Sequence, residues 1–348
     1  MSGNTTKSPI VTLTPAPTLD RTYFVTNLHP GAVNRADSVG EELAGKGINV
    51  ARALHLAGIE APGVVPIGNA EKGILERTGS KNFLIPMWIE GTIRVSTTVL
   101  EHGGPTTKIN EAPKPLTHEE WLRVVDLTEQ TVKDNDAKWL VVAGALPIDQ
   151  STGTFVDLHP IFDRMAKLGV RVALDTSGEP LAYWVRQGDA AILKPNAEEL
   201  ASAVKRSLLT NGDVIDAARE LCAHGVECVL ASLGSDGLLA VTKNRAWSTR
   251  TTPVKVINTV GAGDATLAGF LAAITKNPLP EGHEDIGVSF NVPVGAMAAV
   301  QWGAVKVGQP TSGLDNIDNL PEVFLTEDVD LSAKLKEPAI YKENKRCL

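Results

Sequence analysis

The chain has 348 residues, 43% hydrophobic and 21% charged, which is close to the globular average and excludes wholesale disorder. With a net charge of −8 and its lysines and arginines dispersed, it lacks the basic tract of a protein whose main partner is DNA, RNA or an anionic membrane. No secretory h-region or apolar run of about 20 residues is present, and 3 cysteines fit neither a disulfide framework nor a zinc spacing, so a cytoplasmic setting is expected.

In chain order, residues 1–8 are polar and small and predict a flexible tail. Ile10–Leu13 reads as a short buried strand. Alternation around Tyr23 and Val25 and over 32–39, broken by His29-Pro30-Gly31, predicts two exposed strands and a turn within about 22–40. A helix is expected over 47–57, closed by Gly58. From residue 64 strand and helix signals alternate: a strand at 95–100, a helix at 117–133 with Thr117 and Glu120 at capping-box spacing, and a strand at Trp139–Ala143. A helix at 153–168 follows, with strands at 170–175 and 190–193, helices at 196–204 and 213–224, and a strand at 226–231. Leu238–Val241 and 246–248 form a hairpin, 254–257 is strand-like, and 262–275 and 286–302 are Ala- and Gly-rich helices. Continuous apolar strands alternating with helices argue for an α/β fold with a parallel sheet covered on both faces, and such sheets hold ligands at the carboxyl ends of their strands. The early alternating strands do not suit that core and are expected in a small β lid. Beyond about 310 the pattern weakens, which predicts a peripheral segment over 311–348.

The strongest chemical signal is the stretch 258–269, NTVGAGDATLAG, in which glycines lead directly into a helix. Gly261 and Gly263 let the backbone turn and aim N–H groups outward, and a helix start attracts anions. Asp264 stands in the first turn. A carboxylate beside an anion hole suits phosphoryl transfer to a hydroxyl, with the carboxylate as base. A tight strand-to-helix turn with an N-terminal Asp is the competing reading. No P-loop is present, and no strand follows this helix as a dinucleotide fingerprint requires. In the stretch 44–52, AGKGINVAR, two glycines flank Lys46, which suits a grip on a polar ligand better than packing, and Asn49 follows on the first turn. In the stretch 193–200, LKPNAEEL, Asn196 and Glu199 have capping-box spacing, and their oxygens equally suit a hydrated Mg²⁺. The stretch 231–237, ASLGSDG, is by itself a loop signal.

Together, these four stretches resemble the PfkB (ribokinase-like) carbohydrate kinase family over residues 10 to about 310, in the family's order and spacing. The resemblance implies a three-layer α/β/α kinase domain over 9–310, with lid strands within about 22–40 and 92–110. It implies Asp264 as base and Gly261, Ala262 and Gly263 as anion hole. Asp20, Gly45 and Asn49 would hold sugar hydroxyls, and Lys46, Arg94 and Lys108 a substrate phosphate. Lys194, Asn196 and Glu199 would face ATP phosphates and Mg²⁺, with Ser232, Gly234 and Gly237 on the nucleotide side and Asn291 near adenine. ATP and Mg²⁺ are the implied cofactors, with a monovalent cation as a further one, and the lid implies a homodimer.

The segments 107–111 and 17–20 resemble the family's hexose-phosphate branch; 107–111 implies phosphorylation of fructose 1-phosphate to the 1,6-bisphosphate, while 17–20 and 49–54 also resemble its 6-phosphofructokinase members. Tagatose 6-phosphate and fructose 6-phosphate are the alternatives. A neutral-sugar or nucleoside kinase, and more distantly a non-catalytic sugar-phosphate-binding regulator, are the other classes. The sequence departs from the family pattern at Ala44, at Ala143 and Ala145 where serines are usual, and at Ser96 where Asn is common. These departures bear on substrate identity more than on reaction type. Most of the six tryptophans are expected in core or edge packing, Cys222 and Cys228 as buried thiols, His55 in surface or packing positions, and Glu41 and Glu42 on a solvated lid edge.

Overall fold

A computed structural model of the chain describes residues 7–279 and 288–342. β1 (Ile10–Leu13) leads into β2 (Thr18–Val25) and β3 (Ser38–Ala44), followed by α1 (Lys46–Leu56), β4 (Gly63–Gly68), the short α2 (Ile74–Arg77) and β5 (Leu84–Ile89). Next come β6 (Arg94–Glu101), β7 (Thr106–Asn110), α3 (His118–Asn135), β8 (Trp139–Ala143), α4 (His159–Leu168), β9 (Arg171–Asp175), α5 (Gly178–Trp184) and β10 (Ile192–Leu193). The chain continues through α6 (Ala197–Val204), β11 (Leu208–Thr210), α7 (Asn211–Ala223), β12 (Cys228–Ser232), β13 (Leu238–Val241), β14 (Ala246–Thr251), α8 (Ala262–Lys276), α9 (Val292–Val307), β15 (Val323–Thr326) and β16 (Lys334–Ala339).

The central sheet has 10 strands in the order β15-β14-β13-β12-β10-β9-β8-β1-β4-β5. It is parallel from β5 to β12 and antiparallel from β12 to β15. Strand alternation sends successive side chains to opposite faces. Leu140, Val142, Val172 and Leu174 join the core under α3–α7, whereas Val141, Ala173, Cys228 and Leu230 join the core under α1, α8 and α9. Those two cores make three layers. Strand order reverses at β1, which lies between β4 and β8, so a crevice opens at the carboxyl edge there. A second sheet, β3-β2-β6-β7, stands over that edge. Its base is held by Leu19, Leu43 and Val95 packed with Ile48, Val65 and Ile67.

Several sequence expectations change. The tail is anchored from Ser8, which is buried and hydrogen-bonded to the carbonyls of Ile10 and Glu60, while residues 1–6 lie outside the described residues. The second lid strand begins only at Ser38, because residues 29–34 close on themselves through the Asn34 side chain. Residues 153–158 are not helical, and α4 begins at His159. The stretch 254–257 forms no strand, and Val256 and Ile257 are exposed. The segment after 310 is not a bare appendage: β15 extends the central sheet beside β14, and β16 pairs with β11. Glu41 and Glu42 are not simply solvated, since Glu41 pairs with Arg21 and Arg77, and Glu42 with Arg52. The last predicted helix is α9, starting at Val292; the expected residues 286–287 lie outside the described residues, as does Cys347. Five of the six tryptophans are buried, as are Cys222 and Cys228. Among the described residues no helix is long and apolar enough to cross a membrane.

Candidate active site

The carboxyl edge of the sheet gathers the charged groups. β9 ends in Asp175, which is 1% exposed. Its Oδ1 lies 2.8 Å from Lys46 Nζ at the start of α1, and its Oδ2 lies 3.4 Å from Lys194 Nζ just past β10. Burial opposes the carboxylate's charge, but Lys194 and Lys46 together hold its pKa below the usual range. Burial likewise opposes the charge on Lys46, yet Asp175, with Glu199 and Asp264 behind it, holds that ammonium above its ordinary pKa. Lys46 is therefore committed to a buried carboxylate, which differs from the expectation that it grips a substrate phosphate.

Asp264 occupies the third position of α8 and is 6% exposed. Asn49 Nδ2, from the first turn of α1, donates to its Oδ2 at 2.8 Å, and the Asn49 Oδ1 is buried without a partner. Burial, with Asp175 nearby, raises the Asp264 pKa to about 6. The turn before it depends on Gly261, whose φ is 81° and where a Cβ would come within 1.9 Å of the Ser312 carbonyl. Gly263 needs no such conformation; a Cβ there would meet only the Lys194 ammonium, at 2.8 Å. The N–H groups of Gly261, Gly263 and Asp264 have no hydrogen-bond partner among the described residues. The Ala262 N–H, by contrast, donates to Thr259 O at 3.2 Å, so it is closed off by the turn and drops out of the expected anion-hole set.

Three residues of the lid sheet project from one face. β2 pairs Asp20 with Ser96 on β6 and with Glu42 on β3, and β6 pairs Thr98 with Lys108 on β7. Asp20 Oδ1 is buried and unpartnered. Burial and the Glu42 charge raise the Asp20 pKa to about 6, against the pull of Lys108 and Arg94. Arg94 Nη2 donates to Ala16 O at 2.9 Å, which pins the guanidinium at the lid base. Lys108 is exposed. Of the departures from the family pattern, Ser96 receives the Thr18 hydroxyl at 3.1 Å, and Ala143 ends β8.

Just past Lys194, Asn196 and Glu199 form a capping box on α6: Asn196 Oδ1 accepts from Glu199 N at 2.8 Å, and Glu199 Oε2 accepts from Asn196 N at 2.9 Å. The structural reading of that pair thus holds, and one Glu199 oxygen is left over. Among the described residues no cluster of three or more acidic, His or Cys side chains could hold a metal by itself. The site fits a Mg²⁺ that keeps its waters and rests mainly on nucleotide phosphates. Ser232 ends β12 with its hydroxyl buried and unpartnered, and Gly234 and Gly237 shape the turn into β13. Asn291 caps α9 through its own Oδ1, 3.4 Å from Val294 N. Gly45, at the N-cap of α1, sits beside Thr14 at the end of β1. Sequence reasoning missed Asp175. Its signal was an acidic residue closing an apolar strand in a fold that binds at strand ends.

The sequence pattern of pfkB family carbohydrate kinases matches residues 14–298. A Haloferax volcanii protein named 1-phosphofructokinase is 36% identical over 271 residues, covering 76% of this chain and 83% of that one. The structure of phosphofructokinase-2 from Escherichia coli in complex with fructose-6-phosphate aligns with a TM-score of 0.74 at 25% identity, covering 90% of this chain and 98% of that chain. The same Escherichia coli enzyme in complex with potassium aligns with a TM-score of 0.74 at 28% identity, covering 89% and 96% of the two chains. The fold is ribokinase-like, and these relatives are phosphofructokinases by name. With its signatures, its fold and its relatives in agreement, the chain belongs to the pfkB family of carbohydrate kinases, phosphotransferases that use ATP and take a hydroxyl as acceptor.

Proposed function

We propose that this chain transfers the γ-phosphoryl group of ATP to fructose 1-phosphate, giving fructose 1,6-bisphosphate. The observation that carries the reading is a buried carboxylate, Asp264, next to the unpartnered N–H groups of Gly261 and Gly263 at one helix start. Asp264 Oδ1 accepts the proton of the attacking hydroxyl while Asn49 holds Oδ2. The free N–H groups and the Lys194 ammonium beside Gly263 take up negative charge on the transferring group. Asp175 holds Lys46 in a buried ion pair and steadies Lys194, whose ammonium lies beside Gly263. Mg²⁺, when bound, screens the ATP phosphates, and Glu199 and Asn196 would hold it through water. Ser232, Gly234 and Gly237 supply the nucleotide side, and Asn291 lies towards the base. Asp20 and the free Asn49 Oδ1 are polar atoms awaiting sugar hydroxyls, beside Gly45.

Arg94 and Lys108 form the clamp for the substrate phosphate on the lid, now that Lys46 is engaged elsewhere. A phosphate held there leaves the hydroxyl at the far end of the sugar to reach Asp264. The named Haloferax relative favours fructose 1-phosphate. The fructose-6-phosphate complex of the Escherichia coli enzyme keeps fructose 6-phosphate as the second reading, with tagatose 6-phosphate beside it. An ADP-release screen over phosphorylated and free sugars tests the assignment. Arg94→Ala is expected to weaken the phosphorylated substrate by about 2–3 kcal/mol, the scale of one charge-assisted partner, and to leave weak activity on free fructose nearly unchanged. Preference for free fructose, or equal damage to both substrates, would transfer the reading to a neutral-sugar kinase; no ADP release with any sugar would leave a binding regulator.

The lid also supports a homodimer. Tyr23, Val39, Val99 and Ile109 lie on the face of the lid sheet opposite Asp20, and Val39 and Ile109 are 52% and 64% exposed. Apolar side chains at such positions are a site for a second copy of the sheet. Sedimentation at micromolar concentration should show a dimer, and Ile109→Lys should shift it to monomer. A wild-type monomer rules the pairing out and leaves the kinase reading untouched.

A further inference from the structure

The last strands of the chain lie beyond the family pattern, which ends at residue 298, yet they return to the carboxyl edge of the sheet. After β15 the chain crosses the start of α7, where the N–H groups of Asn211 and Gly212 donate to the carbonyls of Ala333 and Leu331 at 3.0 Å each. β16 then pairs with β11 and buries Leu335 and Ala339 in the core under α3–α7. Between those two anchors it touches the turn that follows β12. The Lys336 N–H donates to Asp236 Oδ2 at 2.8 Å, while Lys336 Nζ lies 3.0 Å from Asp236 Oδ1 and donates to the Ser235 carbonyl at 3.3 Å. One residue on, Glu337 Oε2 lies 3.5 Å from the place a Cβ on Gly234 would take. Glu337 is exposed, and its carboxylate has no hydrogen-bond or ion-pair partner among the described residues.

We propose that Glu337 is a further nucleotide-binding residue, whose carboxylate accepts hydrogen bonds from the ribose hydroxyls of the phosphoryl donor. The inference rests on the reading of Ser232, Gly234 and Gly237 as the nucleotide side. An ionised carboxylate only accepts hydrogen bonds, and like charge opposes it beside a triphosphate. A vicinal pair of uncharged hydroxyls is a donor set that suits it, and an acidic side chain on a ribose is a recurring arrangement in nucleotide-binding folds. The order of groups along the turn puts the ribose there. Ser232 forms a β-bridge with Asn196, in the capping box that faces the phosphates, and its buried hydroxyl is unpartnered. Gly234 lies two residues further out along the chain, a reach of about 7 Å at most. The unit of ATP that follows the phosphates outward is the ribose. The contacts of Lys336 with Asp236 and Ser235 fix β16 on the turn, so little ordering is left to do when the nucleotide binds.

The test measures binding of ADP and 2′,3′-dideoxy-ADP to the full chain by calorimetry, without turnover. Wild type is expected to bind ADP about tenfold more tightly than the dideoxy analogue, the scale of a hydrogen bond to a charged group. Glu337→Ala should weaken ADP by about that factor and leave the analogue within about twofold, which erases the preference. Glu337→Gln keeps one acceptor oxygen and should hold an intermediate preference. In turnover, Glu337→Ala should raise KM for ATP while kcat and KM for the sugar phosphate stay within about twofold. A Glu337→Ala protein that keeps the wild-type preference overturns the inference. Equal weakening of both ligands also overturns it, because β16 would then only support the turn. Tighter binding of both would do the same, since the carboxylate would then only repel phosphates. Failure of the nucleotide-side reading looks different: Ser232→Ala, expected to weaken both ligands alike, would leave both unchanged.

Discussion

Asp264→Asn is expected to lower kcat by about 10²–10⁴ while KM for the sugar phosphate changes little, the scale of losing a general base in a site otherwise intact. The substitution keeps the shape of the side chain and its hydrogen bond from Asn49, so binding geometry is preserved. Near-normal turnover in the purified variant would remove Asp264 from the chemistry. The same residue sets two further expectations. Its pKa is raised from 3.8 to about 6, chiefly by burial and then by Asp175. The carboxylate must be ionised to act, so kcat should fall as pH drops through about 6. Because Asp20 is also raised to about 6, kcat/KM should fall more steeply there than kcat does, since the free enzyme must ionise both groups. For stability the sign is the reverse. A carboxyl whose folded pKa lies above its unfolded value binds more protons when folded, so stability falls as pH rises from about 4 to about 6. Above that window the ionised, buried Asp264 costs the fold on the order of 2–3 kcal/mol, and Asp264→Asn should raise Tm at neutral pH. A variant less stable than wild type at pH 7 would contradict that sign.

Asp175→Ala is expected to damage both fold and rate. The carboxylate is 1% exposed and answers two ammonium groups, Lys46 and Lys194, of which Lys194 is 5% exposed. Removing it leaves two like charges close together without a counter-charge, and breaking a buried pair in this way costs about 3–5 kcal/mol. Denaturant unfolding should show that loss. In the folded fraction kcat should drop at least about a hundredfold, because Lys194 is no longer steadied beside Gly263. Asp175→Asn is the gentler variant, and it separates packing from charge. In it the acid limb of kcat should move below pH 6, since the Asp175 charge no longer raises the Asp264 pKa. An unchanged acid limb in an active Asp175→Asn enzyme would show that the two carboxylates do not communicate.

The sequence alone determined the features that are local in the chain. Asn196 with Glu199, and Thr117 with Glu120, are capping boxes whose donors and acceptors lie three residues apart, and both form as their spacing requires. Gly261 before Asp264 marks a turn into a helix, and a positive φ at that glycine follows from the chain's own sterics. Apolar runs such as Trp139–Ala143 made buried strands for the same reason: a run of side chains apolar on both faces must be covered on both. What only the tertiary structure decided are pairings across long chain separations. Asn49 meets Asp264 over 215 residues, and Lys46 meets Asp175 over 129, so no local pattern ties them together. That distance is why Lys46 between two glycines looked free for a phosphate when it is held by a strand end. Residues 254–257 alternate as a strand does but are not hydrogen-bonded into a sheet, while the weakly patterned 323–326 finds a partner in β14. A strand is stable only where an edge is free to receive its N–H and C=O groups, and the location of that edge is fixed by the packing of the whole molecule.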